Sequence, residues 1–371
     1  MVLVFDGNNF IMKNLFLLKD KSEKTFLKEF YKFFLYDIFS FINSFNNVEQ
    51  VYVAFDFGSW RKKYLKEEFN QETYKSQRKD YNEKTKTFKN IVFKNLDKLK
   101  ELIESFDINT ITVYSAEADD IIYNICNKLN NKNIVIISSD NDLAQLVEFN
   151  SRWVVKLNSV KNNKKIYLTK EFYTNLMENK FNASISDSNL FNENKSNLKS
   201  ASDIAASLFG KNKKTDEEIL KKYINENSIE TIPIDKKIFI LEKILLGDVS
   251  DNIEGLKLNN SLIGKNTINE IKTNNLFELK EKMFNDLLNN NFNSILDEIN
   301  KINNKKISNE NFNELIDKIK KNKKLMFLYK TEIPHNIMEK INVQLNEKNK
   351  SFKNQKIYFN NILDKIEELS I

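Results

Sequence analysis

The chain has 371 residues, enough for two domains or for one domain with a large appendage. Its 41% hydrophobic content can build a substantial core, and 58 basic against 52 acidic side chains make a charge-dense surface of net charge only +6, which permits a nucleic-acid partner without establishing one. One cysteine, Cys126, excludes an intramolecular disulfide, and one histidine, His335, argues against histidine-built metal sites and His-dependent acid–base catalysis.

The N-terminus "MVLVFDGNN" has no basic region before its short apolar run, so it reads as no signal peptide. No segment approaches the ~18 apolar residues of a membrane span. The expectation is a soluble cytoplasmic protein with no membrane association. "VLVF" (2–5) is a short strand ending at Asp6, and a long helical pattern runs over 23–45. "VYVAF" (51–55) is a second strand, ending at Asp56. The stretch 57–88 interleaves Arg and Lys with Trp60, Tyr64, Phe69, Tyr74 and Tyr81; its apolar residues are too sparse for a core helix. Such a pattern suits a phosphate backbone and stacked bases, or else a solvated pair of surface helices. A helix follows over 88–106, then a strand at 110–114 and the acidic helix start "SAEADDIIYNICNKL", which buries Cys126 among isoleucines. "NIVIIS" (133–138) is a buried strand leading into "SDNDLAQLV".

After residue 150, "RWVVKL" and "KIYLT" read as a hairpin, with a helix near 169–180. Residues 182–232 are polar, with one helical stretch at 215–226, and read as an insertion. From 234 to the end the pattern is helical. Strands alternating with helices imply an α/β fold with a mostly parallel central sheet covered by helices on both faces. The expected organisation is an α/β core over 1–181, an insertion over 182–232 and a helical region over 233–371.

Ligands of such sheets sit beyond the carboxyl ends of the strands. Asp6, Asp56 and Asp140 each follow a strand, and Glu117, Asp119 and Asp120 open the helix after another. One carboxylate there could serve a helix N-terminus; acids delivered by four separate elements need another reason. Asp142 follows closely, and "GDVSDNIEG" ends an apolar helix in Asp248 and Asp251 between glycines. Converging carboxylates repel one another, and divalent cations relieve that. Oxygen-only ligands suit two Mg²⁺ ions, with Mn²⁺ as a substitute; two ions about 4 Å apart would activate water and stabilise a leaving oxygen.

Taken together and in order, "FDGNN" (5–9), "AFD" (54–56), "YKSQRK" (74–79), "AEADD" (116–120), "SSDNDLAQL" (138–146) and "GDVSDNIEG" (247–255) resemble the 5′ nucleases. That family includes flap endonucleases, the 5′-nuclease domain of bacterial DNA polymerase I, and bacteriophage ribonuclease H and 5′–3′ exonucleases; the phage branch is the most similar. The resemblance implies a PIN-like core with a helical arch at about 57–88, a helix–hairpin–helix and a helical C-terminal region. It assigns Asp6, Asp56, Glu117, Asp119 and Asp140 to a first metal group, Asp142, Asp248 and Asp251 to a second, and Asp120 to an outer shell. Lys75 and Arg78 match the arch residues that contact the scissile phosphate. Arg61, Tyr74, Lys75, Arg78, Lys79, Gly264 and Lys265 are the expected nucleic-acid contacts, with Tyr74 stacking on a base. Relatives often hold K⁺ after "SDNIEG"; here that loop is longer and poorer in Gly and Pro, which counts against a K⁺ site.

The implied activity is a two-metal-ion 5′–3′ exonuclease and flap endonuclease with ribonuclease H activity, acting as a monomer on DNA and RNA·DNA duplexes with 5′ ends, flaps or forks. A single-strand-binding protein or sliding clamp are the implied protein partners, and the host cytoplasm the location if phage-encoded. Two other readings stay open: a PIN-type single-strand ribonuclease, which lacks a helix–hairpin–helix, and a branched-DNA-binding protein without catalysis.

Overall fold

Strand β1 (Val2–Asp6) is buried along its whole length, the signature of a central parallel strand. Around it the computed structural model describes residues 1–45, 47–71, 74–76, 83–148, 152–157, 164–174, 216–226, 229–258, 261–274, 276–304, 307–329, 332–353 and 359–368. Strand β2 (Gln50–Phe55) pairs parallel with β1, setting Asp6 against Ala54, and β3 (Asn109–Thr112) pairs parallel with β2. On the other side of β1 lies β4 (Ile134–Ser138), also parallel, followed by β5 (Arg152–Leu157). The hairpin partner β6 (Lys164–Thr169) is antiparallel to β5, and β7 (Glu230–Ile234) closes the sheet parallel to β6. The order β3-β2-β1-β4-β5-β6-β7 reverses direction between β1 and β4. In an open sheet that reversal opens a crevice at the carboxyl ends of the strands.

Helices α1 (Gly7–Leu17) and α2 (Glu23–Ile42) cover one face. Between β2 and β3 come α3 (Trp60–Phe69), α4 (Glu83–Lys94) and α5 (Leu96–Glu104). The helical pattern over 88–106 is broken at Asn95, whose side chain donates to the Ile91 carbonyl at 2.9 Å and whose own carbonyl accepts from the Tyr31 hydroxyl. A phenylalanine-rich core joins this layer: Phe10, Phe30, Phe34 and Phe55 are fully buried, and Phe26 stacks on Phe88 at 3.9 Å. The opposite face is covered by α6 (Ala118–Lys128), which buries Ile121, Ile125 and Cys126 against Val2, Val4 and Ile136.

Two expected boundaries are corrected. Of the polar insertion, 182–215 lies outside the described residues, but α7 (Asp216–Glu226) and β7 belong to the core, where Leu220, Tyr223, Ile224 and Ile229 are buried. Strand β7 carries Pro233, which a sheet tolerates because β7 is an edge. The helical region after 233 is likewise not one unit. Helices α8 (Lys236–Leu246), α9 (Ile263–Thr273), α10 (Phe277–Leu288), α11 (Phe292–Asn303) and α12 (Asn309–Met326) share their own core. Helix α13 (His335–Glu347) returns to the sheet, where the Gln344 amide donates to the Thr112 carbonyl and accepts from its N–H, capping the edge of β3. Helix α14 (Phe359–Glu368) packs Ile362 and Ile366 into the aromatic core. Among the described residues no helix is long and apolar enough to cross a membrane.

Phe88 ties α4, the second leg of the expected arch, to the core. Phe88→Ala should lower unfolding stability by about 3–5 kcal/mol, read by urea denaturation; a change under about 1 kcal/mol would mean that α4 rests on the surface.

Candidate active site

Five carboxylates line one cavity of about 610 Å³ at the switch point: Asp6, Asp56, Glu117, Asp119 and Asp140. Asp6 ends β1 and caps α1, accepting from the Asn9 N–H at 3.1 Å, the Asn9 amide at 2.7 Å and the Ser138 hydroxyl at 2.7 Å. Asp56 follows β2 and accepts from the Ala118 N–H at 2.6 Å and the Asn8 amide at 2.9 Å. Asp140 follows β4 and accepts from the Asp142 N–H at 2.8 Å. Asp6 and Asp140 are thus aimed by the turns that end their own strands, and Asp56 by donors from the first turns of α1 and α6.

The electrostatic strain is plain. Burial, with Asp140 adding to it, raises the Asp6 carboxyl. Burial and the charge of Asp6 push Asp56 up to about 7. Burial, Asp140 and Asp6 hold Asp119 far above the carboxylate range. Among the described residues no three Asp, Glu, His or Cys side chains are drawn into a closed ligand set; hydrogen-bond donors and cations lie between the acids instead.

Glu117 behaves differently. Burial opposes its charge, but Arg61 and Lys75 overcome that and lower it to about 2. Lys75 Nζ lies 3.1 Å from Glu117 and 3.8 Å from Asp251. Lys75 itself has φ +58°, a left-handed conformation that costs roughly 1–2 kcal/mol. Its N–H donates to the Asp251 carbonyl at 2.9 Å, which pins the arch segment to the loop after α8.

The second acid group is split by a lysine. Lys243, in the last turn of α8, pairs with both Asp142 and Asp248. Asp142 is raised to about 6, by burial and by Asp140, against the pull of Lys243. Asp248 is half-buried, which opposes its charge, but Lys243 and Ser250 together hold it below its ordinary value. Gly247 has φ +74°, and a Cβ there would meet the Ile253 carbonyl at 2.3 Å, so only glycine makes the turn that presents Asp248. Asp251 stands by Lys75 rather than in the Lys243 bridge.

Several expected contacts are corrected. Arg61 does not face nucleic acid: it is 2% exposed, its guanidinium donates to Glu117 at 3.0 Å and to Asp120 at 2.8 and 3.0 Å, and its Nε donates to the Leu325 carbonyl at 2.8 Å. Asp120, expected in an outer shell, is fully buried behind Glu117, held by Arg61 and the Trp60 indole N–H, and does not line the cavity. Tyr74 offers no open face to a base: it is packed with Leu65, Ile253, Leu325 and Met326, and its hydroxyl donates to Glu117 at 3.1 Å. Gly264 is buried, and a Cβ there would meet the Leu245 carbonyl at 2.8 Å, so the glycine serves the approach of α9 to α8. Lys265 is exposed. Arg78 and Lys79 lie outside the described residues.

Sequence reasoning missed Asn8, Asn9 and Ser138, although two of them stand in the quoted "FDGNN". It missed Lys86, Lys89 and Asn90 of α4, which line the cavity wall beside Met12 and Phe93. It missed Lys243 entirely.

Residues 1–179 match the family model of the 5′–3′ exonuclease, N-terminal resolvase-like domain. Over 177 residues the chain is 31% identical to a 5′–3′ exonuclease of Mycoplasmopsis pulmonis (strain UAB CTIP), covering 47% of this chain and 52% of that protein. The chain thus spans about half the length of the relative it matches. Among solved structures, it is similar to the T5 5′-exonuclease with bound zinc ions, at TM-score 0.53 and 17% identity over 93% of this chain and 98% of that one. It is equally similar to the bacteriophage T5 flap endonuclease in a pseudo-enzyme–product complex with DNA and metal ions, at TM-score 0.53 and 17% identity over 94% of this chain and 98% of that one. At such identities the likeness is one of fold.

Arg61→Met should leave the buried Asp120 without its cation and Glu117 with Lys75 alone, and cost about 3–5 kcal/mol of stability; a loss of affinity for nucleic acid at unchanged stability would restore Arg61 to the surface role. Asp56 carries the opposite signature. Its folded-state value near 7 lies above its unfolded value near 3.9, so its stabilising proton is fully effective below about pH 4 and is lost as pH rises through about 7. In EDTA, the stability of Asp56→Asn relative to wild type should therefore improve between pH 5 and pH 8; a pH-independent difference would contradict the assigned environment.

Proposed function

We propose that the acidic cavity is the active site of a divalent-cation-dependent 5′ nuclease, a reading supported by the match of residues 1–179 to the 5′–3′ exonuclease family model. It hydrolyses phosphodiesters near the 5′ ends of DNA or RNA annealed to DNA, flaps included, and so removes primers and flaps in replication. The observation that carries this reading is the convergence of five carboxylates from four elements on one cavity walled by Lys75, Lys86 and Lys89.

The donor chemistry fits a hard divalent ion such as Mg²⁺ or Mn²⁺: the ligands are all oxygen, and three of them are raised by burial and by one another. Asp6, Asp56, Glu117, Asp119 and Asp140 would hold one ion, and Asp142, Asp248 and Asp251 a second. Such ions, when bound, make water acidic enough to attack a phosphodiester and offset charge on the departing oxygen. The metal ions and DNA in the T5 enzyme structures support this reading.

The rest falls to the chain. Arg61 and Asp120 fix Glu117 from behind. Lys75 sits on Glu117, within the cavity, and in the reaction it turns to the scissile phosphate as negative charge grows there. Lys86 and Lys89 set positive charge along the wall formed by α4, where a phosphate backbone would run. Helices α8 and α9, joined by short hairpins, form a helix–hairpin–helix-like unit beside the site, which favours a duplex substrate over the single-strand ribonuclease alternative.

Incubation with 5′-flap and RNA·DNA substrates tests the proposal. Cleavage should require Mg²⁺, and full activity in excess EDTA after metal stripping would sink it. Lys75→Ala should lose roughly 10²-fold in single-turnover rate, with flap affinity in Ca²⁺ little changed. Lys265→Ala should bind more weakly, with a salt dependence shallower by up to about one counterion, and cleave near-normally at saturation. If Lys75→Ala only weakens binding, the arch is a docking surface.

A further inference from the structure

Lys243 occupies an unusual place. Its side chain is 20% exposed, and its ammonium bridges Asp142 (18% exposed) and Asp248 (12% exposed). Asp142 belongs to the turn after β4; Asp248 belongs to the loop after α8. The two acids come from different packed units, and Lys243 is the cation between them. Asp248 Oδ1 is fixed by the Ser250 N–H at 2.8 Å and the Ser250 hydroxyl at 2.6 Å, so Oδ2 is the atom turned to the lysine. In the first group the lysine contact is made to Glu117, by Lys75 at 3.1 Å.

We propose that Lys243 is the internal counter-cation of the second acid group, holding Asp142 and Asp248 in position until a divalent ion displaces its ammonium. The inference rests on the reading of these two acids as cation ligands. A flexible four-carbon stem lets the ammonium withdraw while the carboxylates stay. A divalent ion brings twice the charge of the lysine but must overcome its attraction to both acids, so the second ion binds more weakly than the first. The chain then remains assembled without its second ion and fills that site only at higher cation concentration.

Mn²⁺ titration of the full chain, followed by calorimetry, tests this. Wild type should take up one ion tightly and one weakly. Lys243→Met should tighten the weaker step by roughly tenfold. Its thermal midpoint should fall in EDTA, where two acids lose their partner, and rise more steeply with Mn²⁺ than that of wild type. A readout on wild type alone guards against a variant that fails to fold: acetylation of Lys243, followed by mass spectrometry, should be slow in EDTA and several-fold faster in saturating Mn²⁺. Two bound Mn²⁺ ions with Lys243 equally protected would overturn the proposal and leave the two-ion reading standing. So would a second-step affinity in Lys243→Met that is unchanged or weaker. No second ion in either protein would overturn both.

Discussion

Mutual repulsion among Asp6, Asp56, Asp119 and Asp140 is the constraint to which the rest of the molecule answers. Parallel strands deliver Asp6, Asp56 and Asp140 to one crevice because each strand ends there, the first turn of α6 adds Asp119, and burial raises the cost of their charge. The fold tolerates the cluster in two ways. Backbone and amide donors from the first turns of α1 and α6 satisfy the carboxylate oxygens. Cations are brought in from outside the sheet: Arg61 and Lys75 from the arch, Lys243 from α8. A sheet with this edge and no such cations would lose stability with each ionised acid.

Those same cations join the parts of the chain. Arg61 binds the site acid Glu117 on one side and the carbonyl of Leu325, near the end of α12, on the other. Lys75 is attached through its backbone to Asp251, and Tyr74 beside it packs with Ile253 and Met326. Asn322 of α12 donates to the carbonyls of Ile244 and Glu254, both at 2.9 Å, fixing the loop that carries Asp248 and Asp251. Arch, sheet and C-terminal helices therefore meet around one set of charges. A disturbance at any of the three reaches the acids within a few bonds, a coupling that runs through observed contacts.

Much of this is legible in the residues themselves. A buried parallel strand reads as a run such as "VLVF" or "NIVIIS", and its terminal aspartate marks the crevice. Helix α8 and its glycine turn are equally plain. What the pattern hides are roles set by distant partners. Arg61 looks like a surface cation because its two carboxylates lie 56 and 59 residues away. Tyr74 looks like a stacking ring because the apolar residues around it come from 253, 325 and 326. Lys243 is one lysine among many on an amphipathic helix, and only the approach of Asp142 distinguishes it. Strand β7 is short and carries a proline, so only its pairing with β6 reveals it. Asn8 and Asn9 carry no signal of their own in the sequence, yet their amides hold Asp56 and Asp6.

The central claim is that the crowded carboxylates form a cation site. Anomalous diffraction from Mn²⁺-soaked crystals tests it most directly. The account expects one strong peak within ligating distance of Asp119 and Asp140 and a second between Asp142 and Asp248, with the Lys243 side chain turned away. Crystals that hold Mn²⁺ only at the surface, with the acids still facing Asn8, Asn9 and Lys243, would contradict it.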